Sequence, residues 1–300
     1  MDYKNLFFNK NFGKIYFDEP LKNHTTFGIG GLADVFVMPE TEEELKAVLE
    51  FNYENKINST IIGKGSNLLI SDRGIRGCVI CLKSNYSKIS ITKNEITAQS
   101  GALLSDIAKL SVKYSLSGME ELEGIPGTIG GAVSMNAGAY GKEIKNIVKE
   151  VRFLTLDGKI LVLKNEDINF SYRHSKVFED NLIVSSAVFK LDFDDKIKIE
   201  EKYWDYHNRR LSKQPLDKKS AGSTFKRPEG SFASKLIDES NLRGYRIGDC
   251  QISEKHCGFV INNENATCKE MLNFIYEIKR IVKLKTGFDI ETEVKIIGDF

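Results

Sequence analysis

Ser223 stands in "KKSAGSTFKRPEG", between Gly222 and Thr224, with Lys226 and Arg227 just beyond. A hydroxyl beside two cations suits an anionic substrate, because arginine forks onto carboxylate or phosphate. The context is not G-x-S-x-G, so a serine-hydrolase nucleophile is disfavoured. Arg173 and His174 stand together in "SYRHS" at the end of a strand run, where an ion-pairing surface arginine is the plain alternative to a binding role. In "DIETEVKIIG", strand alternation sends Ile290, Thr292, Val294 and Ile296 to one face and Glu291, Glu293 and Lys295 to the other. A carboxylate on that polar face can do acid–base work if the face lines a cleft, and otherwise it is solvated.

Glycine is concentrated just as unevenly. Six of the 24 glycines, with Pro126, fall in "EGIPGTIGGAVSMNAGAYG" from Glu123 to Gly141. Each costs roughly 0.5–1 kcal/mol relative to alanine inside a regular element, so a plain loop gains nothing from six. Glycines help where φ is positive or where main chain lies against a flat or anionic ligand. A second cluster, "GKGSNLL", runs from Gly63 to Leu69; it lacks the Gly-Lys-Ser/Thr ending of a Walker A loop, yet its small residues can form a nest of N–H donors. A third, "TFGIGGLADVFV", matches G-x-G-x-x-A at Gly28, Gly30 and Ala33, but a strand follows it where a Rossmann site needs a helix. Three glycine-rich polar loops in one region point to a phosphate-bearing cofactor.

Those groups need a scaffold. The chain has 300 residues, enough for two or three structural units. A net charge of +1 argues against nucleic acid or a membrane surface as main partner. No apolar run approaches a membrane span, the start lacks a signal-peptide pattern, and a cytoplasmic protein is expected. The five cysteines, Cys78 and Cys81 of "CVIC" among them, have no paired ligands to complete a metal site and read as buried thiols.

Thr41 and Glu44 form a capping-box pattern ahead of a helix burying Leu45, Val48 and Leu49. "ALLSDIAKLSVKYSL" is predicted helical, and Asp157-Gly158 joins two alternating runs as a hairpin. The charged segment from Asp192 reads as a linker and a helix ending before Pro215. A long amphipathic helix then carries Met271, Leu272, Ile275, Ile278 and Val282 as its stripe and stops at Gly287, and "DIETEVKIIG" is predicted as the last strand.

In order along the chain, "NHTTFGIGG", "GKGSNLLI", "GIPGTIGGAVSMNAGAYG", "SYRHS", "QPLDKKSAGSTFKRP" and "ETEVKIIG" resemble the UDP-N-acetylenolpyruvoylglucosamine reductase (MurB) family, from about Asn23 to Gly298. The resemblance implies an α+β chain with a PCMH/vanillyl-alcohol-oxidase-like FAD-binding fold of two subdomains and a C-terminal α+β substrate domain. The expected division is 1–195 for FAD (subdomains about 1–80 and 81–195) and 196–300 for substrate. FAD is expected to be non-covalent, since no histidine attachment is evident near His24. Its implied contacts are Gly63, Lys64, Gly65, Ser66, Asn67, Leu68, Gly124, Ile125, Pro126, Gly127, Gly130, Gly131, Asn136, Gly138 and Ala139.

The implied reaction is a step of peptidoglycan precursor synthesis. NADPH gives a hydride to flavin N5, the enolpyruvyl ether of UDP-N-acetylglucosamine takes it at C3, and protonation at C2 gives UDP-N-acetylmuramate. Arg173 and Glu293 match the residues that polarise the substrate carboxylate, and Ser223 matches the proton donor. Tyr172, Lys226, Arg227 and His256 are the implied contacts to the nucleotide sugar. About fifty residues separate Arg173 from Ser223, which leaves no room for the tyrosine-bearing loop of the longer family type, so the chain resembles the shorter type. A monomer without metal, nucleic-acid partner or membrane insertion is expected. The competing reading is an FAD-dependent oxidase of another alcohol or sugar, which has no need of this cation-plus-donor set.

Overall fold

Helix and strand signals alternate along the chain, and two sets of packed elements result. The computed structural model describes residues 2–300. Its contacts group into one unit that takes the N-terminal segment to Phe17, Asp34–Lys64 and Gly77–Arg209, and a second of Asp18–Ala33, Gly65–Arg76 and Arg210–Phe300. The sequence reading expects the main cut at 195/196, with FAD subdomains of about 1–80 and 81–195. The contacts instead carry the Lys196–Lys213 helix into the first unit as far as Arg209, because Tyr203 is buried in that unit's core.

In the first unit a wholly antiparallel sheet runs in the order Ile160–Lys164, Val148–Leu154, Ile183–Lys190, Glu95–Gln99, Ile89–Thr92. The helices Leu104–Lys113 and Ile129–Ser134 share its core through Leu104, Ile107, Ile129 and Val133. The hairpin closes where expected: Thr155 N–H donates to Lys159 O, Gly158 N–H donates to Thr155 O, and Gly158 has φ +77°. A second core gathers Leu45, Val48 and Leu49 of the Glu42–Glu54 helix against Cys78 and Ile80 of the Ile75–Cys81 strand, which pairs parallel with Ser59–Ile62. Only half of the expected capping box forms at its start. Thr41 Oγ1 accepts from Glu44 N–H, while the Glu44 carboxylate reaches past Thr41 to Glu40 N–H at 2.7 Å.

The second unit has an antiparallel sheet in the order Lys219–Ser223, Phe259–Asn262, Cys250–Ile252, Arg246–Ile247. The helices Ala233–Glu239 and Cys268–Thr286 pack into its core with Leu236, Met271, Ile275 and Ile278. The longer helix opens with a full Thr267/Glu270 capping box, and Asp72 accepts from Cys268 and Lys269 N–H at its first turn. It ends at Gly287 with φ +79°.

The last strand is shorter than predicted, Lys295–Ile297, and the alternation fails at Ile296, which is exposed while Lys295 is partly buried. The segment changes partners midway. Its Glu291–Glu293 part bonds to Thr224 and Lys226, whereas Lys295–Ile297 pairs parallel with Leu68–Ile70. All five cysteines are free buried thiols, with Cys78 pushed up to about 12 and Cys81 to about 11 by burial. Among the described residues no His/Cys/Asp/Glu cluster could hold a metal, and no helix is long and apolar enough to cross a membrane.

Candidate active site

The two main glycine stretches approach each other in the first unit. A Cβ on Gly63 would stand 2.2 Å from Thr128 Oγ1, so any larger residue would push Thr128 away from the close approach of the 63–64 turn to the 124–131 loop. Within that loop Gly124 has φ +71° and Gly127 φ +151°, conformations that L side chains rarely adopt. A Cβ on Gly130 would meet Ser100 Cβ at 2.9 Å, and Gly130 N–H donates to Ser100 O. Ser100 Oγ is buried beside this loop with no hydrogen-bond partner among the described residues. Close-packed glycines, positive φ and an unsatisfied buried hydroxyl fit a phosphate-bearing ligand that comes against main chain. Nothing local in the sequence marks Ser100 or Thr128.

Asn136 holds the far part of the segment. It is buried at φ +41°, donates to Ser171 O and Glu143 Oε2 at 3.0 Å each, and accepts from Lys145 N–H through Oδ1. Its side chain therefore ties the 136–145 turn, which carries Gly138 and Ala139, to the Ser171 backbone; Ile125, Pro126 and Gly131 belong to the other part of the same segment. Arg173 is delivered to the same place by a tight turn in which Ser171 and His174 exchange backbone hydrogen bonds. It has φ +56°, stacks its guanidinium 4.8 Å from the Tyr172 ring and donates to Gly138 O at 3.3 Å. A non-glycine residue in this region is strained by about 1–3 kcal/mol, a cost often found at functional sites.

The chain passes from the first unit to the second at Lys64/Gly65, inside the other predicted loop. A Cβ on Gly65 would stand 2.1 Å from His24 O, which keeps that loop tight through Ser66, Asn67 and Leu68. His24 Nε2 is engaged by Glu19 at 2.8 Å. Asn67 Nδ2 donates to Glu293 O at 3.4 Å, and Glu293 N–H donates to Thr224 O at 2.8 Å. One backbone strip thus brings Glu293 beside both the Gly65–Leu68 loop and the residue after Ser223. Ser223 is half-buried at a bulge in its strand, and Gly222 takes φ +73° there with nothing within 4 Å of its missing Cβ. Conformation, not space, requires that glycine.

Cations surround this cluster. Lys226 pairs with Glu291 at 2.8 Å on an exposed surface, a contact of little net worth that an anionic ligand can replace. Arg227 lies 4.4 Å over the Phe232 ring. Lys295 is held below the ordinary lysine range, first by burial and then by the charge of Lys226. Strand alternation places Lys295 on the same face as Glu293. His256 Nδ1 accepts from Gly258 N–H at 3.0 Å, and burial above all pushes the imidazole below its usual range. An Nδ1 that accepts leaves the ring proton on Nε2. A hydroxyl, a carboxylate and several cations on one strip can bind an anion and handle a proton.

A family model for the C-terminal domain of UDP-N-acetylenolpyruvoylglucosamine reductase matches residues 214–297, and a model for an FAD binding domain matches residues 33–164. The UDP-N-acetylenolpyruvoylglucosamine reductase of Clostridioides difficile is 50% identical over 282 residues, 94% of this chain and 93% of that protein. That of Caldanaerobacter subterraneus subsp. tengcongensis is 45% identical, covering 96% and 95% of the two chains. Among solved structures, UDP-N-acetylenolpyruvylglucosamine reductase (MurB) from Thermus caldophilus superposes with a TM-score of 0.80 at 33% identity, over 94% of this chain and 98% of that one.

Proposed function

Because the chain belongs to the UDP-N-acetylenolpyruvoylglucosamine reductase family, FAD-dependent oxidoreductases of a PCMH-type α+β fold, we propose that it uses NADPH to reduce UDP-N-acetylglucosamine enolpyruvate to UDP-N-acetylmuramate. FAD, when bound, supplies the relay of a hydride from NADPH to C3 of the enolpyruvyl group. The glycines of 63–68 and 124–139, with Ser100 and Thr128, hold the cofactor without a covalent bond. The protein works as a monomer in the cytoplasm on a peptidoglycan precursor.

The protein's own residues handle charge and the proton. Hydride arrival at C3 leaves carbanion character at C2, delocalised into the neighbouring carboxylate. Arg173, pre-set by its strained turn, and Glu293 polarise that carboxylate, so that fixed groups meet the charge as it develops. Ser223 Oγ gives its proton to C2. A serine hydroxyl is a weak acid, and it can donate only to a strong base generated beside it. Tyr172, Lys226, Arg227 and His256 orient the nucleotide sugar, Lys226 by leaving Glu291 for an anionic group.

The observation that carries this reading is the Asn67–Glu293–Thr224 hydrogen-bond strip, which supports a proton donor, a carboxylate and a cofactor loop in one cluster. The test is to follow the two half-reactions separately in Ser223→Ala. Flavin reduction by NADPH is expected at the wild-type rate, with reoxidation by the enolpyruvyl nucleotide slowed. Reoxidation at the wild-type rate would remove Ser223 from the role.

A further inference from the structure

The residue that precedes the glycine segment has a chemistry of its own. Glu123 is a buried carboxylate directly ahead of Gly124. His207 Nδ1 lies 3.0 Å from its Oε1, and Tyr203 O–H donates to the same oxygen at 3.4 Å. Both donors belong to the Lys196–Lys213 helix. Tyr203 is itself in the core, and burial followed by the charge of Glu123 pushes its hydroxyl up to about 12, so it stays protonated and donating. At the other end of the segment, the Tyr140 ring packs on Tyr206 at 4.8 Å, and Arg209 covers Tyr206 at 5.6 Å. Tyr203, Tyr206 and His207 are spaced i, i+3, i+4 and share one helix face.

One helix face therefore grips both ends of the glycine-rich segment, by hydrogen bonds to a buried carboxylate at Glu123 and by ring packing at Tyr140. A segment so rich in glycine has little stiffness of its own, and order imposed from outside lowers the entropy it loses when a ligand binds. We propose that Glu123, with His207 and Tyr203, positions the FAD loop, so that this helix sets how long FAD is retained. The inference rests on assigning Gly124–Ala139 to FAD. A buried carboxylate that loses its nearer donor is less well held, so losing His207 shifts Glu123 and the loop entry with it.

The test is the FAD dissociation rate of the diluted holoenzyme, followed by recovery of free flavin fluorescence. His207→Ala and Glu123→Leu are expected to lose FAD about tenfold faster than wild type. Glu123→Gln keeps an acceptor oxygen for both donors and is expected to stay within about threefold, a rescue that generalised loosening would not give. His207 is partly exposed, so His207→Ala serves as the test if Glu123→Leu does not fold. Gly127→Val, at φ +151°, reads the loop assignment separately. Wild-type dissociation in both His207→Ala and Glu123→Leu, with rapid loss in Gly127→Val, overturns the clamp and leaves the loop assignment standing. Wild-type dissociation in Gly127→Val overturns both. Equal loss in Glu123→Gln and Glu123→Leu also overturns the hydrogen-bonded clamp.

Discussion

Ser223, Glu293 and Arg173 differ in what a substitution should reveal. Ser223→Ala removes a proton donor and leaves the strand intact, so reoxidation should slow by roughly 10²–10⁴, the usual range for losing a positioned acid, while NADPH still bleaches the flavin. Glu293→Gln keeps the backbone hydrogen bonds of Glu293 and nearly its volume, so it should lower turnover with little change in melting temperature. His256 bears on stability instead. Its folded value is depressed, so the unfolded chain takes up a proton first as pH falls. Its contribution is complete above about 6.5, the unfolded value, and is lost as pH drops towards the folded one. Thermal melts from pH 8 to 5 should therefore fall less steeply for His256→Gln, and identical slopes would contradict the depressed value of this half-buried ring.

At the scale of elements, the Glu42–Glu54 helix is tied to the antiparallel sheet by Arg152, whose Nε and Nη2 both donate to the Glu42 carboxylate at 2.9 Å, and by Ser185 Oγ. The arginine's hydrogen bond is the main cause that holds Glu42 below the usual carboxylate range. A depressed folded value gives stability that is present above the unfolded value of about 4.3 and is lost as pH falls through the folded one. Glu42→Gln should lower the melting temperature at pH 7 and reduce its loss below about pH 4. Gly287→Ala isolates a different term. At φ +79° with nothing within 4 Å of a new Cβ, it should cost about 1 kcal/mol by backbone strain alone, measurable by urea denaturation. Elements with local signals were legible in the sequence. The Gly287 stop and the Asp157-Gly158 turn each depend on residues within a few positions. The last strand was not, because its partners are Thr224–Lys226 and then Leu68–Ile70, far apart in the chain.

Across the whole molecule the same limit explains the domain division. Residues 18–33 and 65–76 join the C-terminal third through long-range pairing that no composition shift announces. The candidate site was legible as motifs, because its glycines and charged groups lie in short distinctive stretches. Ser100, Thr128, Lys295 and the grip on Glu123 became visible only with tertiary contacts. A cofactor that binds only the folded chain should stabilise it by about 2.7 kcal/mol at a hundredfold excess over its Kd. The measurement that bears most directly on the central claim is a visible absorption spectrum of the purified protein under nitrogen, taken before and after NADPH and then UDP-N-acetylglucosamine enolpyruvate. The expected result is a flavin band that NADPH bleaches and that returns on adding the nucleotide. A bleached band that ignores the nucleotide and returns only with oxygen would contradict the account.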